Sequence, residues 1–100
     1  MEEDARDTTI DDLVKVFAET TDPALMAKLL DEMLTPKELK DLLMRWKLMK
    51  DLYRGKPQRE IAADYGISLC KITRGSKILK QQDSYTRRLL SDRYDDHLRI

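Results

Sequence analysis

The run QREIAADYGISLCKITRGSKILK, Gln58 to Lys80, restricts this chain more than any other stretch. Ile61, Ala62 and Tyr65 stand at i, i+1 and i+4, one apolar stripe of a two-turn helix, and Gly66 follows at once. A glycine just past the last periodic residue supplies the left-handed backbone of a helix C-terminus without a Cβ penalty, and Ser68 can cap the helix that follows. The turn is therefore very short. In the second helix Ile72 and Leu79 share one face, with Leu69 a turn before Ile72, while Lys71, Arg74, Lys77 and Lys80 recur at spacings of three. A small residue in the first helix (Ala62), glycine at the turn and branched residues after it (Ile67, Ile72) are what a helix-turn-helix needs to project its second helix into a DNA major groove. Gly75 stands mid-helix at a cost of about 1 kcal/mol against alanine, so either a backbone or a ligand approaches it closely or the helix frays there. The plainer alternative is two cationic helices meeting at a glycine turn.

Charge supports the DNA reading once it is taken locally. The chain of 100 residues is formally neutral. Residues 1–34, however, hold 3 Lys/Arg against 10 Asp/Glu, residues 35–80 hold 12 against 5, and residues 81–100 hold 4 against 4. Polyanion binding answers to the local field, and the net +7 of the middle segment contains the helix pair. One cysteine (Cys70) and one histidine (His97) exclude a disulfide framework and leave too few soft ligands for a zinc cluster. No metal is expected, and no nucleophile–base constellation points to an enzyme. No apolar run nears the roughly 20 residues a bilayer span needs, and MEEDARDTT lacks the basic and apolar regions of a signal peptide. A cytoplasmic protein without membrane contact is expected.

The remaining helices are marked by their starts. After an acidic arm at residues 1–7, Ile10, Leu13, Val14, Phe17 and Ala18 form one face of a helix beginning at Thr8 or Thr9 and ending near Thr20. Asp22-Pro23 opens a second helix with Leu25, Met26, Leu29, Leu30, Met33 and Leu34 as its apolar set. Thr35-Pro36-Lys37-Glu38 reads as a capping box and opens the longest helix, which runs to about Arg54. That helix carries Leu39, Leu42, Leu43, Trp46, Met49 and Tyr53 on one stripe and Met44, Leu48 and Leu52 on another. A last helix, capped by Asp83 or Ser84, carries Tyr85, Leu89, Leu90, Tyr94 and Leu98. Residues 8–100 thus read as one all-α domain with the helix-turn-helix at 58–80. Its faces hold more apolar surface than a chain this short can hide, which implies an obligate dimer; a compact monomer centred on the long helix is the alternative.

Met33-Leu34-Thr35-Pro36, Arg54-Gly55, Gln58-Arg59-Glu60, Ile72-Thr73-Arg74-Gly75-Ser76 and Leu79-Lys80, in this order and spacing, resemble the bacterial tryptophan (trp operon) repressor family over about residues 29–80. The resemblance implies an intertwined all-helical homodimer of about six helices per chain, with L-tryptophan as corepressor and a palindromic double-stranded DNA operator as target. It implies that Arg45 and Arg74 sandwich the indole, that Gly75 lets it lie against bare backbone, and that Leu34 and Thr35 meet the ligand's amino group from the other chain. Two positions depart from the pattern: Ile78 stands where a serine near the amino group is common, and Glu32 where an apolar pocket residue is common. By the same resemblance Arg59 is the guanine-contacting arginine, Ser68, Leu69, Cys70 and Lys71 begin the reading helix, and Thr73, Lys77 and Lys80 meet phosphates. The other readings are a ligand-independent DNA-binding protein of the same fold and a helical module that binds protein.

Overall fold

The computed structural model describes residues 8–95, and among them there are six α-helices and no strand. They are α1 (Ile10–Glu19), α2 (Pro23–Met33), α3 (Pro36–Tyr53), α4 (Gln58–Tyr65), α5 (Leu69–Lys80) and α6 (Tyr85–Tyr94). The all-α expectation holds. The expected arm at residues 1–7, with His97 and Leu98, lies outside the described residues.

Four of the six helices begin where a side chain satisfies first-turn amides that have no partner inside the helix. Thr9 accepts from the Asp12 amide at 3.3 Å, and Asp22 accepts from the Ala24 amide at 3.0 Å with Pro23 in the first position. The box at α3 is reciprocal: the Glu38 amide donates to Thr35 Oγ1 at 3.1 Å, and the Thr35 amide donates to Glu38 Oε1 at 2.9 Å. Ser84 opens α6 by accepting from the Arg87 amide at 3.1 Å. Two helices lack such a cap: α4 follows Pro57, which has no side chain able to cap it, and α5 follows Ser68. Its backbone occupies the cap position of α5, but its hydroxyl makes no capping bond and stays exposed.

The chain divides after Lys40 into two compact units. In the first, neither α1 nor α2 buries a residue. Ile10 is 71% exposed and Leu25 58%, so the apolar faces that the sequence periodicity marks exist but stand uncovered in a single chain. On the long helix Leu42 and Leu43 are exposed as well, contrary to their expected burial.

The second unit has the core. Leu48 of α3, Ile61 of α4 and Ile72 of α5 form one cluster, with Leu52, Ala62, Tyr65 and Ile67 packed against it. Full burial of a side chain such as Ile61 or Ile72 contributes about 1.5–3 kcal/mol, so this three-helix junction sets the position of α5. Polar contacts hold α4 at its other end. The Tyr65 hydroxyl donates to Asp51, the Lys47 ammonium lies 4.7 Å from the Tyr65 ring centroid, and Lys56 Nζ meets Asp64 Oδ2 at 2.6 Å. Leu79 and Leu90 are buried where α5 packs on α6. The Tyr53 hydroxyl donates to Asp95, and that bond raises the phenol above its ordinary value near 10. Because the folded value is the higher one, this contact stabilises fully below the ordinary phenol range and is lost as pH rises through the raised value.

Two further residues of the apolar stripes are exposed. Leu69 occupies the first position of α5, outside the buried cluster, and Tyr85 the first position of α6.

Gly66 ends α4 in the left-handed region, at φ 62° and ψ 32°, with its amide donating to the Ala62 carbonyl at 2.9 Å. A Cβ there would meet nothing within 4 Å, so any penalty for a side chain is backbone strain alone. Gly66→Ala is expected to lower stability by about 1–2 kcal/mol and Gly66→Asn by less, read from urea unfolding midpoints. Equal midpoints for Gly66, Ala and Asn would show that the turn does not need this conformation.

Candidate ligand cleft and cationic helix

The side of α5 that faces α3 carries no bulk at Gly75. A Cβ built there would stand 3.1 Å from Leu52 Cδ1, 3.5 Å from Met49 Sδ and 3.7 Å from Leu48 Cδ2. The missing side chain thus lets α5 approach α3 closely, and the helix does not fray at this point, since α5 continues to Lys80. What approaches it is neither a backbone nor a ligand but side chains of the long helix, Leu52, Met49 and Leu48.

Beside this contact lies an open cleft of about 300 Å³. Asp41, Met44, Arg45, Leu48 and Met49 of α3 form one wall, and Lys71, Arg74, Gly75 and Ile78 of α5, with Ile67 of the turn, form the other. Four expected ligand residues therefore meet in one place: Arg45, Arg74, Gly75 and Ile78. Their spacing explains it, because Asp41 and Arg45 are one turn apart on α3, and Arg74 and Ile78 one turn apart on α5. The floor is apolar and the rim charged, which suits a small molecule with an apolar body and a polar end. Among the described residues, the four charged side chains of the cleft have no hydrogen bond or ion pair within the chain.

Sequence reasoning missed Asp41, Lys71 as a cleft residue, and the two methionines. A signal for Asp41 existed: it precedes Arg45 by four residues on the same helix. Leu34, Thr35 and Glu32 belong to the first unit. There Leu34 is the C-cap of α2, Thr35 caps α3, and Glu32 is exposed.

The remaining surface of α5 is cationic and open. Lys71, Arg74, Lys77 and Lys80 are all exposed, as are Thr73 and Cys70 beside them, Ser68 and Leu69 at the helix start, and Arg59 in the first turn of α4. Every residue expected to face DNA is thus free of the core. Arg74 and Lys71 belong to both sets, since each lines the cleft and adds charge to the exposed surface. No group of His, Cys, Asp and Glu that could hold a metal ion occurs among the described residues, and no helix there is long and apolar enough to cross a membrane.

The chain thus sets an open cleft beside an exposed cationic helix, an arrangement that fits a regulator. Comparison with known proteins makes this specific. The family model described as Trp repressor protein matches residues 8–93, and the chain belongs to that family. A Trp operon repressor homolog of Xylella fastidiosa (strain M23) is 31% identical over 80 residues, covering 79% of this chain and 87% of the relative. Trp operon repressor homologs of Chlamydia trachomatis serovars L2 and D are each 47% identical over 47 residues, covering 46% of this chain and 50% of the relative. The chain is accordingly a Trp-repressor-like regulator.

The close approach at Gly75 leaves little room for a branched side chain. Gly75→Val is expected to cost about 1–3 kcal/mol through overpacking against Leu52 and Met49, measured as a lower urea midpoint. An unchanged or raised midpoint would show that α3 yields freely and that the glycine does not set the helix spacing.

Proposed function

We propose that this chain is a DNA-binding transcriptional repressor that acts as a homodimer on a palindromic operator under the control of L-tryptophan. The observation that carries the reading is the meeting of Arg45 from α3 and Arg74 from α5 in one cleft, whose second wall is the helix that carries the exposed cations. Planar guanidinium groups stack on an indole and bind a carboxylate through paired donors, so two of them across an apolar floor suit an aromatic amino acid. A ligand seated there touches α5 directly and can fix the orientation of the helix that reads DNA.

The uncovered apolar faces of α1, α2 and α3 support the dimer, because burying Ile10, Val14, Leu25, Leu42 and Leu43 against a second copy removes a hydration cost that a lone chain bears. In that dimer Leu34 of the partner subunit and Thr35 of the partner subunit complete the ligand site. Helix-turn-helix docking of Trp repressors supports placing α5 in the major groove, with two half-sites about one helical turn apart. Arg59 reads a guanine, residues 68–71 read base edges, and Thr73, Lys77 and Lys80 hold phosphates. The site of action is the bacterial cytoplasm. A ligand-independent repressor of the same fold is the second reading; it is favoured by Ile78, which brings a methyl-rich side chain to the cleft.

Titration of L-tryptophan into the dimer by calorimetry tests the corepressor. The parent is expected to bind, and Arg45→Ala and Arg74→Ala are each expected to lose about tenfold or more in affinity. No heat beyond dilution at several temperatures would favour the ligand-independent reading. On DNA, Lys77→Ala should weaken all duplexes alike and reduce the salt slope by about one, whereas Arg59→Ala should relax preference at one base pair. Identical behaviour of the two across an operator library would remove this division of labour.

A further inference from the structure

Helix α4 meets α3 through two contacts of different character. One is the apolar junction of Leu48 with Ile61, closed by Ile72; an apolar contact has no directional preference, so it holds α4 close without fixing its angle. The other is polar. The hydroxyl of Tyr65, the last residue of α4, donates to the Asp51 carboxylate on α3, and the ammonium groups of Lys47 and Lys56 lie 4.7 and 5.7 Å from the Tyr65 ring centroid. Lys56, in the loop before α4, also pairs with Asp64 at 2.6 Å. Packing does not require the hydroxyl, because Tyr65 is half-buried against the core cluster and a bare ring of the same size would cover that surface equally well.

We infer that Tyr65 is a positioning residue for DNA recognition: its hydrogen bond to Asp51 fixes the angle of α4 on α3 and so places Arg59, near the other end of α4, against its base pair. The inference rests on the role given to Arg59 above. Arg59 and Tyr65 lie six residues apart on one two-turn helix, so roughly 9 Å of rigid rod carries any change of angle at Tyr65 to Arg59. A hydrogen bond weakens steeply as its angle departs from linear, and a bidentate arginine–guanine contact tolerates little displacement of the helix that presents it. Lys47 and Lys56 hold the ring itself by attraction to its π face, which leaves the hydroxyl aimed at Asp51.

The test compares the parent, Tyr65→Phe, Arg59→Ala and the double variant as full chains. The probes are the duplex that the parent selects from a randomised library and the single-base-pair variants of that duplex. One bidentate arginine–guanine contact supplies roughly tenfold to a hundredfold discrimination, and Tyr65→Phe is expected to cut it about threefold or more at the base pair that Arg59→Ala relaxes and at no other. Once Arg59 is replaced, Tyr65→Phe should change discrimination no further, because the hydroxyl acts through that side chain. The salt slope of Tyr65→Phe should stay at the parent's value, since no charge changes. Asp51→Ala should reproduce the Tyr65→Phe pattern, and Asp51→Asn, which keeps an acceptor oxygen, should lose less. Parent-like discrimination in Tyr65→Phe, or an equal loss of affinity on every duplex, would overturn the assignment while leaving the DNA reading intact; the second result would mean that the hydroxyl serves only the fold. A parent that selects no duplex, or whose discrimination survives Arg59→Ala, removes the role given to Arg59 and this assignment with it.

Discussion

The contact on which the second unit depends is the approach of α5 to α3 at Gly75. Leu52, Met49 and Leu48 fill the space where a Cβ would otherwise stand, while Ile72, one turn earlier on α5, closes the buried cluster with Leu48 and Ile61. Interiors are packed densely enough that a single methyl group changes such a contact. Glycine therefore brings the helices together at one point, and the cleft opens beside that point between the same two helices. Arg45, Arg74 and Ile78 meet there because they sit at helical spacing from the residues that make the contact.

Under the proposed function, this arrangement gives a physical basis for linking ligand to DNA. Arg74 and Lys71 line the cleft and also belong to the exposed cationic surface of α5, so a bound anionic group and a phosphate backbone draw on the same helix. A ligand shifts an equilibrium only by its differential affinity for two states, and a cleft with one wall made of α5 provides that difference whenever α5 changes its tilt against α3. The formal neutrality of the chain conceals the relevant field, because the acidic residues concentrate before residue 35 and the cationic ones after it.

Much of the fold was legible in the sequence where local chemistry decides the outcome. Thr9, Asp22, Thr35 and Ser84 cap the helices they mark, and Gly66 adopts the left-handed backbone that its position implies. Burial was less legible. Periodicity identifies the face of a helix that is apolar, but what covers that face is a property of the partner surface, so Ile10, Val14, Leu42 and Leu43 read as core yet stand exposed in one chain. The cleft residues Arg45, Arg74, Gly75 and Ile78 were reached through the order and spacing of short motifs, whereas Asp41 carries no motif and emerged only when two helices formed the walls of one cleft. Ser68 shows the converse case, a residue of the right type in the right place whose hydroxyl does not cap.

The central claim, that ligand binding in the α3–α5 cleft governs what the α4–α5 surface reads, is tested most directly by selecting duplexes from a randomised library with the purified protein, in parallel with and without L-tryptophan. The account predicts enrichment of a two-fold symmetric site in the presence of tryptophan, with weak, salt-sensitive and unselective binding in its absence. The same enriched site under both conditions, or no enriched site under either, would contradict it.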